Sequence, residues 1–205
     1  MTTLVVSLMT SHGQSLEIPK RPLGFFYGGT AQDPNVEIVA YLDVTCPNSK
    51  AVYPTLLQVA EFYASSDVQL RMHLFPLPYH RNSYVISKAA QVLDQKFSNN
   101  NTAFQWVSVV FDNIGRLNGH VTVNMNDAQV MSTISSLANQ LTGIQEADLK
   151  AGVSATDIEI ITRLDFKYSC TRGVHGTPMF TVNDIFVDAS SWDFNQWKAF
   201  LDGLL

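Results

Sequence analysis

The segment that most constrains this chain is Val36-Glu-Ile-Val-Ala-Tyr-Leu-Asp-Val44, which runs directly into Thr45-Cys46-Pro47-Asn48-Ser49. Its β-branched and aromatic residues, with little polar alternation, suit a parallel strand buried on both faces. A helical pattern follows, with Val52, Leu56, Val59, Ala60 and Tyr63 on one face. Pro47 is placed to open that helix, because a proline in the first turn gives up an N–H that has no partner there anyway. Pro54 should kink it. The spacing predicts a second strand over about Val68 to Phe75, so strand, helix and strand form a right-handed parallel βαβ unit.

Cys46 therefore sits at the head of a helix, where unpaired N–H groups and the helix dipole favour a thiolate. The bland alternative is a small buried hydrophobe in a strand-to-helix turn. Cys46 and Cys170 are the only cysteines of the 205 residues, so no disulfide framework holds the fold. Cys170 is read as a buried structural cysteine rather than a partner for Cys46.

From about residue 82 to 172 the pattern is helical. Segments are expected over Ser83 to Leu93, Ala103 to Leu117 and Asp127 to Leu141, with a last helix starting near Ser154 or Thr156. There Thr156 and Glu159 fit a capping box. Strands return at Pro178 to Val182 and Ile185 to Val187, joined through Asn183-Asp184, residue types that tolerate a hairpin turn. An amphipathic helix over Phe194 to Leu204 closes the chain. One globular unit over 1–205 is expected, with an extension over about 1–20.

Composition removes several classes of function. Hydrophobic residues make up 46% of the chain and charged residues 15%, which supplies a core and no disorder signature. A formal charge of -5 without a basic cluster argues against a nucleic-acid partner. The apolar runs fall short of the roughly 18 residues of a membrane span. Leu4 to Met9 is apolar but short for a signal peptide and lacks a positive leader. Asn100-Asn101-Thr102 matches a glycosylation sequon. Together these lean towards a secretory or extracytoplasmic compartment without fixing one.

The stretch from Gly29 to Pro47 resembles the first strand and active-site turn of DsbA-like thioredoxin-fold proteins, and Gly173-Val-His-Gly-Thr-Pro-Met-Phe180 resembles their cis-proline loop. Phe75-Pro-Leu-Pro-Tyr-His80 is similar to the loop leading into the family's helical insertion. The resemblance covers about Gly29 to Leu205. It implies an α/β thioredoxin fold with a central mixed β-sheet and a DsbA-like helical insertion. It also implies a cis Thr177-Pro178 peptide facing Cys46, with the Thr177 backbone able to pair with an extended substrate.

In that family a second cysteine occupies the position of Ser49. A serine hydroxyl cannot form a disulfide, so dithiol cycling is excluded and monothiol exchange through Cys46 remains. Its partners would be protein or peptide thiols and disulfides, with glutathione as a co-substrate and no resident cofactor. Ser49 could donate its hydroxyl to the thiolate, and a neutral replacement is an equal alternative. His80 and His175 are candidate acid-base groups, set against the commoner capping or solvent-facing histidine. Asp43 is read as a solvated carboxylate. Cys46, His80 and His175 lack zinc-signature spacing, so no metal is expected. Two other functions compete: a catalytically weak peptide-binding or chaperone-like domain, and a kappa-type glutathione-dependent transferase or isomerase, a group that usually carries serine where this chain has Cys46.

Overall fold

The computed structural model describes residues 18–19, 21–28, 34–64, 67–97 and 101–205. Most of the expected N-terminal extension, Leu4 to Met9 included, lies outside the described residues, as does Asn100 of the sequon.

The strand that dominated the sequence forms as β2 (Val36–Leu42), buried along nearly its whole length. It pairs in parallel with β3 (Val68–Leu74), Val36 opposite Val68 and Leu42 opposite Leu74. Helix α1 (Pro47–Phe62) makes the crossover between them and continues through Pro54. On its other side β2 pairs antiparallel with β4 (Met179–Val182), which pairs antiparallel with β5 (Ile185–Val187). The two-residue β1 (Phe25–Phe26) adds antiparallel to β3, giving the sheet order β1-β3-β2-β4-β5. The turn between β4 and β5 places Asn183 at φ 46° and Asp184 at φ 67°, the left-handed region these residue types tolerate.

Between β3 and β4 the chain is helical: α2 (Ser83–Lys96), α3 (Thr102–Asp112), α4 (Ile114–Leu117), α5 (Asp127–Thr142), α6 (Glu146–Val153) and α7 (Thr156–Thr171). Helix α8 (Phe194–Asp202) follows β5 and packs against α1. Two local expectations need correction. The helix expected over Ala103 to Leu117 breaks at Asn113, where φ -107° and ψ 16° leave helical space. The capping box expected at Thr156 and Glu159 does not form: Ala155 is the N-cap of α7, and the Glu159 side chain is instead bonded to α2. Capping boxes do form at Asn126–Gln129 and Asp193–Gln196.

The alternation of β2 divides the core. Ile38, Ala40 and Leu42 face the larger cluster with α1, which extends into the helical segment through residues such as Trp106 and Leu137. Val39 and Tyr41 face a smaller cluster with Phe75, Leu77 and Val174, against which Phe166 of α7 packs. Helix α7 is tied to that second face by a buried pair, His73 Nδ1 to Asp165 Oδ1 at 2.5 Å, with the imidazole stacked on Tyr41 at 5.3 Å between centroids. The helical segment is thus fastened to the back of the strand whose end carries the site.

Candidate active site

Strand β2 ends at Leu42, and the four residues after it make the turn into α1. Cys46 N–H donates to Asp43 O at 3.1 Å, and Lys50 N–H returns to Cys46 O at 3.0 Å, the first bond of the helix. Cys46 is the N-cap, at φ -82° and ψ 123°. Pro47 follows in the first turn and contributes no N–H, while the amides of Asn48 and Ser49 belong to the first turn, where helices leave donors without intrahelical partners. No acidic residue lies in that turn, so the helix end keeps its partial positive charge beside the sulfur.

Across the sheet edge, the Thr177–Pro178 peptide bond is cis. The Thr177 carbonyl lies 3.5 Å from Cys46 Sγ, which donates to it. Cys46 is 5% exposed and carries no disulfide. A cavity of about 450 Å³ opens beside Pro178, lined by Met179, Phe186, Val187 and His175 among others.

Ser49 lies in α1 with no accessible surface. Its hydroxyl oxygen accepts from the Asp43 N–H at 3.2 Å, and no hydrogen bond joins it to Cys46 Sγ among the described residues. The hydroxyl therefore closes the turn from the helix side. Asp43 itself is fully buried, which corrects the expectation of a solvated carboxylate. Its Oδ1 accepts from Thr45 N–H at 2.7 Å and Thr45 Oγ1 at 3.0 Å, and its Oδ2 accepts from Leu77 N–H at 2.6 Å. These donors offset the desolvation of a carboxylate that would otherwise not stay inside.

The two histidines part company. His80 Nδ1 stands 3.0 Å from Asp43 Oδ2, a close contact outside hydrogen-bond geometry, and its ring is part-exposed. It is joined to the thiol turn through Asp43. His175 is exposed beside Pro178, with Nδ1 3.0 Å from Gly173 O. Cys170, expected to be buried, is exposed near the C-terminal end of α7. Among the described residues no group of three or more His, Cys, Asp or Glu is placed to hold a metal ion, and no helix is long and apolar enough to cross a membrane.

A strand, a cysteine at a helix head, a cis proline opposite it and a helical segment between the two halves of the sheet define a thioredoxin fold of the DsbA-like type. The sequence profile of the family described as Thioredoxin matches residues 25–203, and the chain belongs to that family. Solved structures similar to it include a protein of Pseudomonas syringae described as a protein-disulfide isomerase, 17% identical, with a TM-score of 0.74 over 87% of this chain and 97% of that one. Wolbachia pipientis alpha-DsbA1 is 16% identical with a TM-score of 0.68, covering 92% of each chain. Oxidised BdbD of Bacillus subtilis is 15% identical with a TM-score of 0.66, covering 88% of this chain and 92% of that one. No curated protein matches the sequence.

Proposed function

We propose that this protein exchanges thiols and disulfides through Cys46 alone, by way of a mixed disulfide. The observation that carries the reading is the placement of Cys46 at the head of α1 against the Thr177 carbonyl, with no second cysteine in the turn. The Cys46 thiolate attacks one sulfur of a substrate disulfide. A Cys46–substrate disulfide forms, and the other substrate sulfur leaves as a thiolate. Ser49 cannot resolve it, so release requires a second thiol, from the same substrate or from glutathione. That thiol attacks the substrate sulfur and returns Cys46 as a thiolate. When the second thiol belongs to the substrate, no net oxidation occurs and the reaction is an isomerisation.

Thr177 and Pro178, with Pro47 at the helix start, border the place where an extended substrate segment would lie, its backbone pairing beside Thr177. Protein or peptide thiols and disulfides are the substrates on this reading, with glutathione as the releasing thiol. His80, held on Asp43, is the acid-base group nearest in bonding to the thiol turn. His175 borders the cavity at Pro178.

The experiment is incubation of the Cys170→Ser protein with oxidised glutathione, followed by intact mass. One glutathionyl group on Cys46 that is removed by a cysteine-containing peptide supports exchange. A second reading, a peptide-holding domain with little turnover, is favoured by the 5% exposure of Cys46 and the cavity beside Pro178. It predicts peptide binding without an adduct on Cys46.

A further inference from the structure

A second cavity, of about 370 Å³, lies beside the loop that follows β3. Its floor is apolar, from Leu77 and Phe166, and its rim carries His80, Arg81, Arg163 and Lys167 with no carboxylate in the lining. Arg81, Arg163 and Lys167 are cationic, a concentration that runs against the net charge of -5 of the whole chain.

The cations are not used up by the fold. Arg163 and Lys167 stand one turn apart on α7, both exposed; the charge of Arg163 bears on Glu159 without a hydrogen bond or close ion pair, and Lys167 makes neither among the described residues. Glu159, one turn before Arg163, already accepts from Tyr84 at 3.0 Å and Lys88 at 3.1 Å. Arg81 is fixed in place by donating to Thr122 O at 2.7 Å and Met125 O at 2.9 Å, with the exposed Asp127 at 3.5 Å. A guanidinium has five N–H donors, so others remain.

The cavity is also tied to the thiol. Asp43 joins the two: its carboxylate accepts from Leu77 N–H in the floor and stands 3.0 Å from His80 Nδ1 on the rim, while its main-chain carbonyl accepts from Cys46 N–H in the turn. We propose that this cavity receives an acidic side chain of the polypeptide that reacts at Cys46, so that the protein selects substrates with Asp or Glu near the reacting cysteine. The proposal rests on the exchange reading and names its substrate class. The apolar floor suits a peptide segment better than a free inorganic anion. The confinement of the charge to one cavity does not suit a nucleic-acid backbone, which needs an extended basic face.

The test uses the full chain with Cys46→Ser, in which no thiol chemistry is open at position 46. Two peptides without cysteine, identical except for Glu against Gln at two positions and carrying a neutral dye, are compared by fluorescence anisotropy. At about 50 mM salt the Glu peptide binds about tenfold or more tightly than the Gln peptide, and the difference shrinks at about 0.5 M, where the screening length falls to a few ångströms. Lys167→Glu and Arg163→Gln, both at exposed positions, each reduce the preference, while near-ultraviolet circular dichroism stays unchanged. Equal binding of both peptides, binding of neither, or a preference that survives Lys167→Glu overturns the proposal. Inorganic phosphate competing as well as the Glu peptide also overturns it, since the site would then be one for small anions. Failure of the unsubstituted protein to form an adduct with any disulfide overturns the exchange reading and leaves this binding result standing.

Discussion

The backbone N–H of Asp43 donates to Ser49 Oγ at 3.2 Å, bridging the end of β2 and the first turn of α1 around Cys46. Both residues are fully buried. Ser49 is therefore an acceptor built into the turn. Ser49→Ala removes the acceptor of a buried amide and should cost about 1–3 kcal/mol, read as a lower urea midpoint at unchanged m-value. A loss within the error of the measurement would show that the Ser49 oxygen is dispensable to the turn.

Asp43 carries more of the turn than Ser49 does. Asp43→Ala strands the donors of Thr45 and Leu77 in the interior, and a loss of more than about 3 kcal/mol is expected from several unmade charge-assisted bonds. Asp43→Asn keeps one acceptor oxygen and should fall between the parent and Asp43→Ala. Chemical denaturation of the three proteins orders them, and an Asp43→Ala protein as stable as the parent would contradict the account of the turn.

Much of this site was legible in the sequence, and the reason is local. Strand β2, the helix start at Pro47 and the Asn183–Asp184 turn follow from residue types within a few positions of each other. The burial of Asp43 was not legible, because the donor that compensates it, Leu77 N–H, comes from a different loop. Periodicity could not reveal the break at Asn113, since apolar residues continue in step on both sides of it. The Thr156 capping box failed because Glu159 finds Tyr84 and Lys88 of α2, a tertiary pairing that outcompetes a local one. The two-residue β1 and the short α6 carry too few residues to show a period at all. Cys170 followed the general tendency of cysteine to be buried, but the helix face it occupies is set by how α7 docks.

The Glu159 pairing gives a pH dependence with a definite sign. Burial alone would push its carboxyl up, but the hydrogen bonds from Lys88 and Tyr84, with the charges of Lys88 and Arg163, outweigh it and hold the carboxyl below its ordinary value. A depressed carboxyl binds protons more weakly in the folded state. Its contribution is thus present above the unfolded value of about 4.3 and is lost as pH falls through the lower folded value. The Glu159 side chain is 38% exposed, so solvent screening keeps the effect below about 1 kcal/mol. Stability of the parent and Glu159→Gln proteins should differ at pH 6 and converge towards pH 3; a difference that grows on acidification would contradict the sign.

Cys170 and Cys46 should be separable by access alone. A bulky maleimide added to the native protein should label the exposed Cys170 quickly and Cys46, at 5% exposure, only slowly, with both reacting after unfolding. Cys170→Ser should change stability by no more than about 0.5 kcal/mol, as for surface substitutions generally. Two equally fast labels, counted by gel shift, would contradict the burial of Cys46.

The central claim is that Cys46 reacts and Ser49 leaves the mixed disulfide unresolved. It is tested most directly by an acid-quenched time course of the Cys170→Ser protein with an excess of two single-cysteine peptides joined by a disulfide, followed by intact mass, beside the same protein carrying Ser49→Cys. The account predicts that the Cys46–peptide adduct accumulates in the Ser49 protein until a second thiol is added. In the Ser49→Cys protein it collapses instead to an internal disulfide between Cys46 and the introduced cysteine. No adduct in the Ser49 protein, or an adduct equally long-lived in both, would contradict it.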